Sequence, residues 1–280
     1  LSAAEITALL SRLEFTCRVD GDTVTAKTPS HRMDIGTGVV GRADLVEEIA
    51  RIYGYDRIPA TYLAEELPDA RSNRAVKIEK QVRESMARLG LQEIVNYRLT
   101  SPEREARLEA TVIDRVHPAY LGVKNPLSPE RVVMRRSLMA SVLDTLEKNA
   151  RLRSRLALFE IGPVFLPVEG AALPEEPQKL AIAMTGFRSL PAWDADQPMQ
   201  LDFFDLKGVI EGLLETLHVG QVEYVPVEHP SFHPGKSAQV IAGGIVLGVF
   251  GELHPQVKTQ YDFLAPSVLA AEFDLAALGE

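Results

Sequence analysis

Residues 237–251 read Ser237-Ala238-Gln239-Val240-Ile241-Ala242-Gly243-Gly244-Ile245-Val246-Leu247-Gly248-Val249-Phe250-Gly251, a stretch without charge between Lys236 and Glu252. It is shorter than the ~18 residues that a membrane span needs. Its four glycines suit a pair of strands better than a helix. The reading therefore predicts strands over 238–241 and 245–250. Gly248-Val249-Phe250-Gly251 is too short and apolar to cradle phosphate and reads as a tight strand or bulge. Working outward, further strands are expected around Glu93–Leu99, Leu156–Phe159, Leu180–Thr185, Tyr224–Val227 and Val268–Phe273. Helices are expected near Pro102–Leu108, Ser137–Asn149 and Phe204–Leu217, the last with Leu206, Val209, Ile210, Leu213, Leu214 and Leu217 in one stripe. A longer helix carries Ile78, Val82, Met86 and Leu89 and closes at Gly90. Many strands with few helices between them predict an α+β fold, a mostly antiparallel sheet with helices on one face.

The N-terminal stretch has a different pattern. Ser2-Ala3-Ala4-Glu5 has capping-box spacing, and Ile6, Leu9, Leu10 and Leu13 share a helix face. Val24-Thr25-Ala26-Lys27-Thr28 alternates after the turn-like Asp20-Gly21-Asp22, reads as a strand and ends at Pro29-Ser30. A second helix is expected to begin near Asp44, bury Leu45, Ile49 and Ile52, and stop at Gly54. Helix, strand and helix make a small α+β unit. Pro59 and the acidic Glu65-Glu66-Leu67-Pro68-Asp69 look like an exposed linker after it.

The 280 residues suggest two domains. Hydrophobic residues at 46% and charged residues at 25% exclude wholesale disorder. The single cysteine, Cys17, cannot form an internal disulfide, so the composition reads as cytosolic. No secretory signal and no solenoid or propeller repeat is visible. The first residue is Leu, so the chain reads as a piece of a longer one. A net charge of −9 argues against a broad, nonspecific nucleic-acid binder.

Asp44-Leu45-Val46-Glu47-Glu48 is the sharpest local feature. On a helix Asp44, Glu47 and Glu48 share a face, and Asp34 upstream could add a fourth oxygen for Mg²⁺ or Ca²⁺. On spacing alone the plainer reading is favoured: acidic side chains in a first turn suit the helix dipole, and Glu47 can pair with Arg51. His229 and His233 are four apart, but Pro230 and Pro234 exclude the regular helix of a zinc site, which leaves loop or capping roles. There is no G-x-S-x-G elbow, no Walker A and no G-x-G-x-x-G. Arg131, Arg135, Arg136, Lys148, Arg151, Arg153 and Arg155 make a locally basic stretch. It could hold phosphate or an acidic surface, though a solvated helix face is the better reading. Leu138, Val142 and Leu146 in it mark a helix that buries one face, with another chain as one option.

Several strings, read in order, resemble the beta subunit of bacterial phenylalanine–tRNA ligase. They are Pro29-Ser30-His31-Arg32-Met33-Asp34-Ile35, then Asp44-Leu45-Val46-Glu47-Glu48-Ile49-Ala50-Arg51-Ile52-Tyr53-Gly54-Tyr55-Asp56, then Asn125-Pro126-Leu127-Ser128 with Met134-Arg135-Arg136-Ser137-Leu138. Phe159-Glu160-Ile161-Gly162, His233-Pro234-Gly235-Lys236-Ser237-Ala238 and Gly251-Glu252-Leu253-His254-Pro255 complete the set, which spreads over nearly the whole chain.

The resemblance implies a small winged-helix-like, DNA-binding-like α+β domain over 1–68. Over 69–280 it implies a catalytic-like domain built on the class II aminoacyl-tRNA synthetase antiparallel sheet, flanked by helices. It implies a working ligase of two alpha and two beta chains in the cytoplasm that uses ATP to join phenylalanine to tRNA. Catalysis would lie on alpha, with no catalytic residue here; this chain would pack against alpha and help place tRNA. The family's Mg²⁺ ligands, in a site shared with alpha, map onto Asp34, Asp44, Glu47 and Glu48. Arg135 and Arg136 are candidate contacts to partner or tRNA. Two departures stand out. The spacer Ile35–Ala43 is longer than usual, with glycines that could loop out. The strand at Phe159-Glu160-Ile161-Gly162 continues Pro163-Val164-Phe165-Leu166-Pro167, without the ATP-binding arginine of active class II enzymes, so the fragment alone is expected to be inactive. The rival reading is a nucleic-acid-binding scaffold that uses the N-terminal helix–strand–helix unit.

Overall fold

The computed structural model describes residues 1–64, 71–110, 120–189, 192–193 and 199–279. The acidic run at 65–69 lies outside them. The chain divides into two units, Leu1–Ala70 and Arg71–Glu280.

In the first unit, α1 (Ala3–Ser11) opens with the expected capping box: Glu5 donates its backbone N–H to the Ser2 hydroxyl, and its carboxylate accepts from the Ser2 backbone. A hairpin follows, β1 (Thr16–Asp20) antiparallel to β2 (Thr23–Lys27), turned at Gly21, whose φ is +57°. Here α2 (Gly38–Tyr53) departs from expectation, because it starts six residues before Asp44. The long spacer does not loop out. Its second half, Gly38–Ala43, carries no proline and continues the helix backwards, while Gly41 lets the strand-to-helix segment cross close by. A Cβ on Gly41 would lie 2.2 Å from the Gly36 carbonyl oxygen. Asp44 is therefore two turns inside the helix, and the first turn holds no acidic residue. The helix stops at Gly54, as expected, with φ +105°. Leu45, Ile49 and Ile52 are only half-buried, whereas Gly41 and Glu48 are buried.

The second unit is built on a seven-stranded sheet. Its strands are β3 (Gln92–Glu93), β6 (Arg155–Pro163), β7 (Gln178–Gly186), β8 (Val222–Pro226), β9 (Phe232–Ala242), β10 (Ile245–Leu253) and β11 (Val268–Asp274), in the order β3-β6-β7-β11-β10-β9-β8. The glycine-rich stretch that opened the sequence reading is the β9–β10 hairpin, with irregular register at Val246/Gly248 and Gly251/Leu253. A Cβ at Gly248 would meet the Glu272 carbonyl at 2.4 Å, so the bulge needs glycine there. Every neighbour pair is antiparallel except β3 with β6, which is parallel.

Two expectations are corrected. The strand predicted over 93–99 splits into β3 and β4 (Leu99–Thr100), which pairs with β5 (Val133–Met134). The chain leaves the ladder because Asn96 gives its backbone N–H to the Glu160 carboxylate. Helices cover both faces of the sheet rather than one. Alternation along β7 explains this: Leu180, Ile182 and Met184 face α3 (Arg74–Arg88) and α6 (Phe203–Thr216), whereas Ala181 and Ala183 face α5 (Met139–Ala150). The apolar stripe of α5, with Leu138 just before it, packs on its own chain's β6, β7 and β11, not on another chain. The short α4 (Pro102–Ala106) and α7 (Pro255–Lys258) complete the unit. Among the described residues no helix is long and apolar enough to cross a membrane.

Candidate functional site

Of the four carboxylates singled out by sequence, Asp34 and Glu48 meet an arginine rather than each other. Arg32 donates Nε to Asp34 Oδ1 at 2.9 Å and Nη1 to Glu48 Oε2 at 3.1 Å. Arg51 pairs with Glu48, at i+3, and not with Glu47 as expected; one turn of helix sets it directly above the buried carboxylate. The Arg32 guanidinium holds the Asp34 carboxyl down at about 2. Arg32, then Arg51, lowers Glu48 as well. Asp44 accepts the Gly36 backbone N–H at Oδ2, 2.8 Å away, which ties the spacer to the helix. Glu47 is exposed and, among the described residues, makes no hydrogen bond or ion pair. The structure thus brings Asp34 and Glu48 together through Arg32 and sends Asp44 and Glu47 elsewhere. Among the described residues no three His, Cys, Asp or Glu side chains stand close enough to hold a metal ion. In this arrangement the donor set does not fit Mg²⁺, because the positive charge that a cation would supply comes from Arg32.

Arg135 and Arg136 part company. Arg135 is 3% exposed: it donates Nη1 to Glu160 Oε1 at 2.6 Å and Nε to the Pro163 carbonyl at 3.0 Å. A Cβ on Gly162 would come within 2.4 Å of its Nη2, so Gly162 makes room for the guanidinium. Asn96 Nδ2 donates to the other Glu160 oxygen at 2.7 Å, and Thr145 donates to Asn96 Oδ1. Arg135 is therefore held within the fold by Glu160. Arg136 stays half-buried over the Tyr120 ring, and its backbone N–H donates to Glu105.

Two further glutamates lie on the α5 face, and sequence reading did not single them out. Glu272 accepts from the Ser137 hydroxyl and the Leu138 N–H, both at 2.8 Å, at the start of α5. Burial pushes the Glu272 and Glu105 carboxyls up, and burial together with Glu105 pushes the Tyr120 hydroxyl up to about 12. One signal was present for Glu160: a lone charge inside the apolar run Leu156–Gly162 needs a buried partner. The Arg32 and Asn96 partnerships carry no comparable local signal. His229 is a loop residue whose Nδ1 accepts the Ser231 N–H, as a capping role requires, whereas His233 lies in β9.

A helix leading into a sheet of this order, with one parallel edge strand, is the architecture of a class II aminoacyl-tRNA synthetase fold. The structure of a pyrrolysyl-tRNA synthetase, PylSc from Desulfitobacterium hafniense, superposes with a TM-score of 0.54 at 16% identity, covering 72% of this chain and 66% of that one. That likeness shows the fold alone. The chain belongs to the phenylalanyl-tRNA synthetase beta-chain family. The family model described as the phenylalanyl tRNA synthetase beta chain CLM domain matches residues 58–275, and that of the tRNA synthetase B5 domain matches residues 1–55. The phenylalanine–tRNA ligase beta subunit of Geobacter metallireducens is 37% identical over 264 residues, which is 93% of this chain and 32% of the relative. That of Symbiobacterium thermophilum is 38% identical over 258 residues, covering 90% and 28%. That of Geobacillus kaustophilus is 36% identical over 265 residues, covering 94% and 32%. The chain spans about a third of the length of the curated relatives it matches.

Proposed function

We propose that this chain is the core of a phenylalanine–tRNA ligase beta subunit, that it assembles with an alpha chain and helps to place tRNA, and that the joining of phenylalanine to tRNA occurs on alpha with ATP bound there. The observation that supports this division is the filling of the sheet face under α5. Leu138, Val142, Leu143 and Leu146 pack on Leu158, Ala181 and Ala183, and Arg135 is locked to Glu160. A cation poised to neutralise a transferring phosphate has to face an open site; this one is spent inside the core. The winged-helix character of the first unit belongs to the same proposal. Asp34 and Glu48 serve that unit through Arg32, which supplies the positive charge between them.

The test is light scattering after size-exclusion chromatography of this chain with and without an alpha chain of the family, first in Mg²⁺ and then in EDTA. A mixed complex in both buffers is expected, with no ATP–pyrophosphate exchange by this chain alone. Exchange by the isolated chain would overturn the division of roles. Failure to associate, together with steeply salt-dependent DNA binding, would favour the scaffold reading.

A further inference from the structure

We infer that the second unit carries a binding cleft for one nucleotide of single-stranded RNA, formed between α5, α4 and the segment 95–101. The cleft has a volume of about 560 Å³, within the range of small-ligand sites. The proposal deepens the tRNA-ligase reading and rests on it only for the source of the RNA.

Three observations carry it. First, Tyr97 is 68% exposed although the Arg131 guanidinium lies over its ring, 3.7 Å from the centroid. An aromatic ring backed by a guanidinium and open on its second face is a platform on which any base can stack. Second, two cations of the cleft wall are available to a phosphate. Asp144 and Glu147 are neutralised by Arg104 and Arg107, and Glu105 is turned inward to the Arg136 N–H. Among the described residues, Arg131 and Lys148 make no ion pair. Glu105 and Glu130 are the lining carboxylates outside those pairs, and since Glu105 is buried, Arg131 and Lys148 face Glu130 at the open wall. Third, the floor is rigid. Arg135, Asn96 and Thr145 line it and are fixed by the Glu160 network, so the walls are held in place before a ligand arrives. A flat ring on Tyr97 with a phosphate at Lys148 and Arg131 matches these groups. An acidic peptide would use the cations and leave the exposed ring without a role.

The probe is a five-residue ribo-oligonucleotide carrying one 2-aminopurine, titrated with the 280-residue chain. Anisotropy reports binding and loss of fluorescence reports stacking. Saturable binding with quenching is expected. Tyr97→Ala should weaken it about tenfold and abolish the quenching, whereas Tyr97→Trp should keep both. Lys148→Glu should weaken binding and lower the salt slope by about 1, and Glu130→Gln should tighten it. All three positions lie on the cleft wall, and an unchanged thermal melt would show that each variant is folded. Absence of binding would overturn the proposal, as would binding indifferent to Tyr97→Ala and Lys148→Glu. So would full displacement by inorganic phosphate with Tyr97→Ala silent, which would mark a simple anion site. A chain that assembles with its alpha partner but ignores the oligonucleotide sinks the cleft and leaves the subunit reading standing.

Discussion

The two units of this chain are stabilised by opposite means. Among the described residues of Leu1–Ala70, Leu10 and Phe15 are the only apolar side chains that are buried. The unit closes around a charge network instead, with Arg32 between Asp34 and Glu48 and with the Gly36 and Gly41 backbones in contact. In the unit Arg71–Glu280, two continuous apolar layers sandwich a sheet, and its most deeply buried charges, Arg135 and Glu160, pair with each other. A short segment cannot bury enough apolar surface to rely on it, so polar geometry carries more of its stability. The larger unit can enclose an ion pair because the surrounding core holds both partners in place.

The largest expected effect tests the second half of that contrast. Arg135→Met leaves Glu160 buried and unpaired and should cost about 3–5 kcal/mol in urea unfolding. Adding Glu160→Leu should recover most of the loss, because an apolar pair of similar size fits a core. No recovery would mean that the network, and not the pair, matters. In the first unit, Leu10→Ala should cost about 2–4 kcal/mol and melt that unit before the other. Gly41→Ala should cost about 1–3 kcal/mol, since its methyl group has to displace the Gly36 carbonyl, and calorimetry would show whether α2 still forms. Ser2→Ala, which removes one half of the capping box, should cost about 1 kcal/mol.

Acid separates the units without any substitution. Asp34 and Glu48 titrate below their ordinary range when folded, so their stabilisation is complete above about pH 5 and is lost as pH falls through the folded values, about 2 for Asp34. Glu105 and Glu272 are shifted the other way by burial. The folded state holds their protons more tightly than the unfolded state does, so acid favours folding at those two sites. Between pH 5 and pH 2, amide exchange should therefore quicken around Glu48 while the core strands at Phe159 stay protected. The opposite order would contradict the charge network. Likewise, Mg²⁺ should leave the melting of the first unit unchanged in the native chain, and Arg32→Gln, which frees Asp34 and leaves Glu48 to Arg51 alone, should create a Mg²⁺-dependent shift.

Much of this was legible from local pattern. The strand pair at 237–251, the capping box at Ser2, the glycine stop at Gly54 and the stripe of α6 all follow from spacing and backbone preference within a few residues, and the quoted strings identified the family. The start of α2 was not legible. Nothing local distinguishes a glycine that loops out from Gly41, which is needed because another segment's carbonyl crosses it. The candidate site was half legible. Spacing set Asp44, Glu47 and Glu48 on one helix, yet it could not show that Glu48 turns to Arg32 from a preceding loop.

The sequence by itself therefore determined the elements and the family, because hydrophobic period, caps and turns act over a few residues. Only the tertiary structure decided which charges meet. It placed Arg135 inside against Glu160, 25 residues away, Arg32 between two carboxylates, and Tyr97 under Arg131 at the mouth of a cleft. Charged partners are chosen by distance in space and by burial, and both arise only when the sheet and its helices have packed.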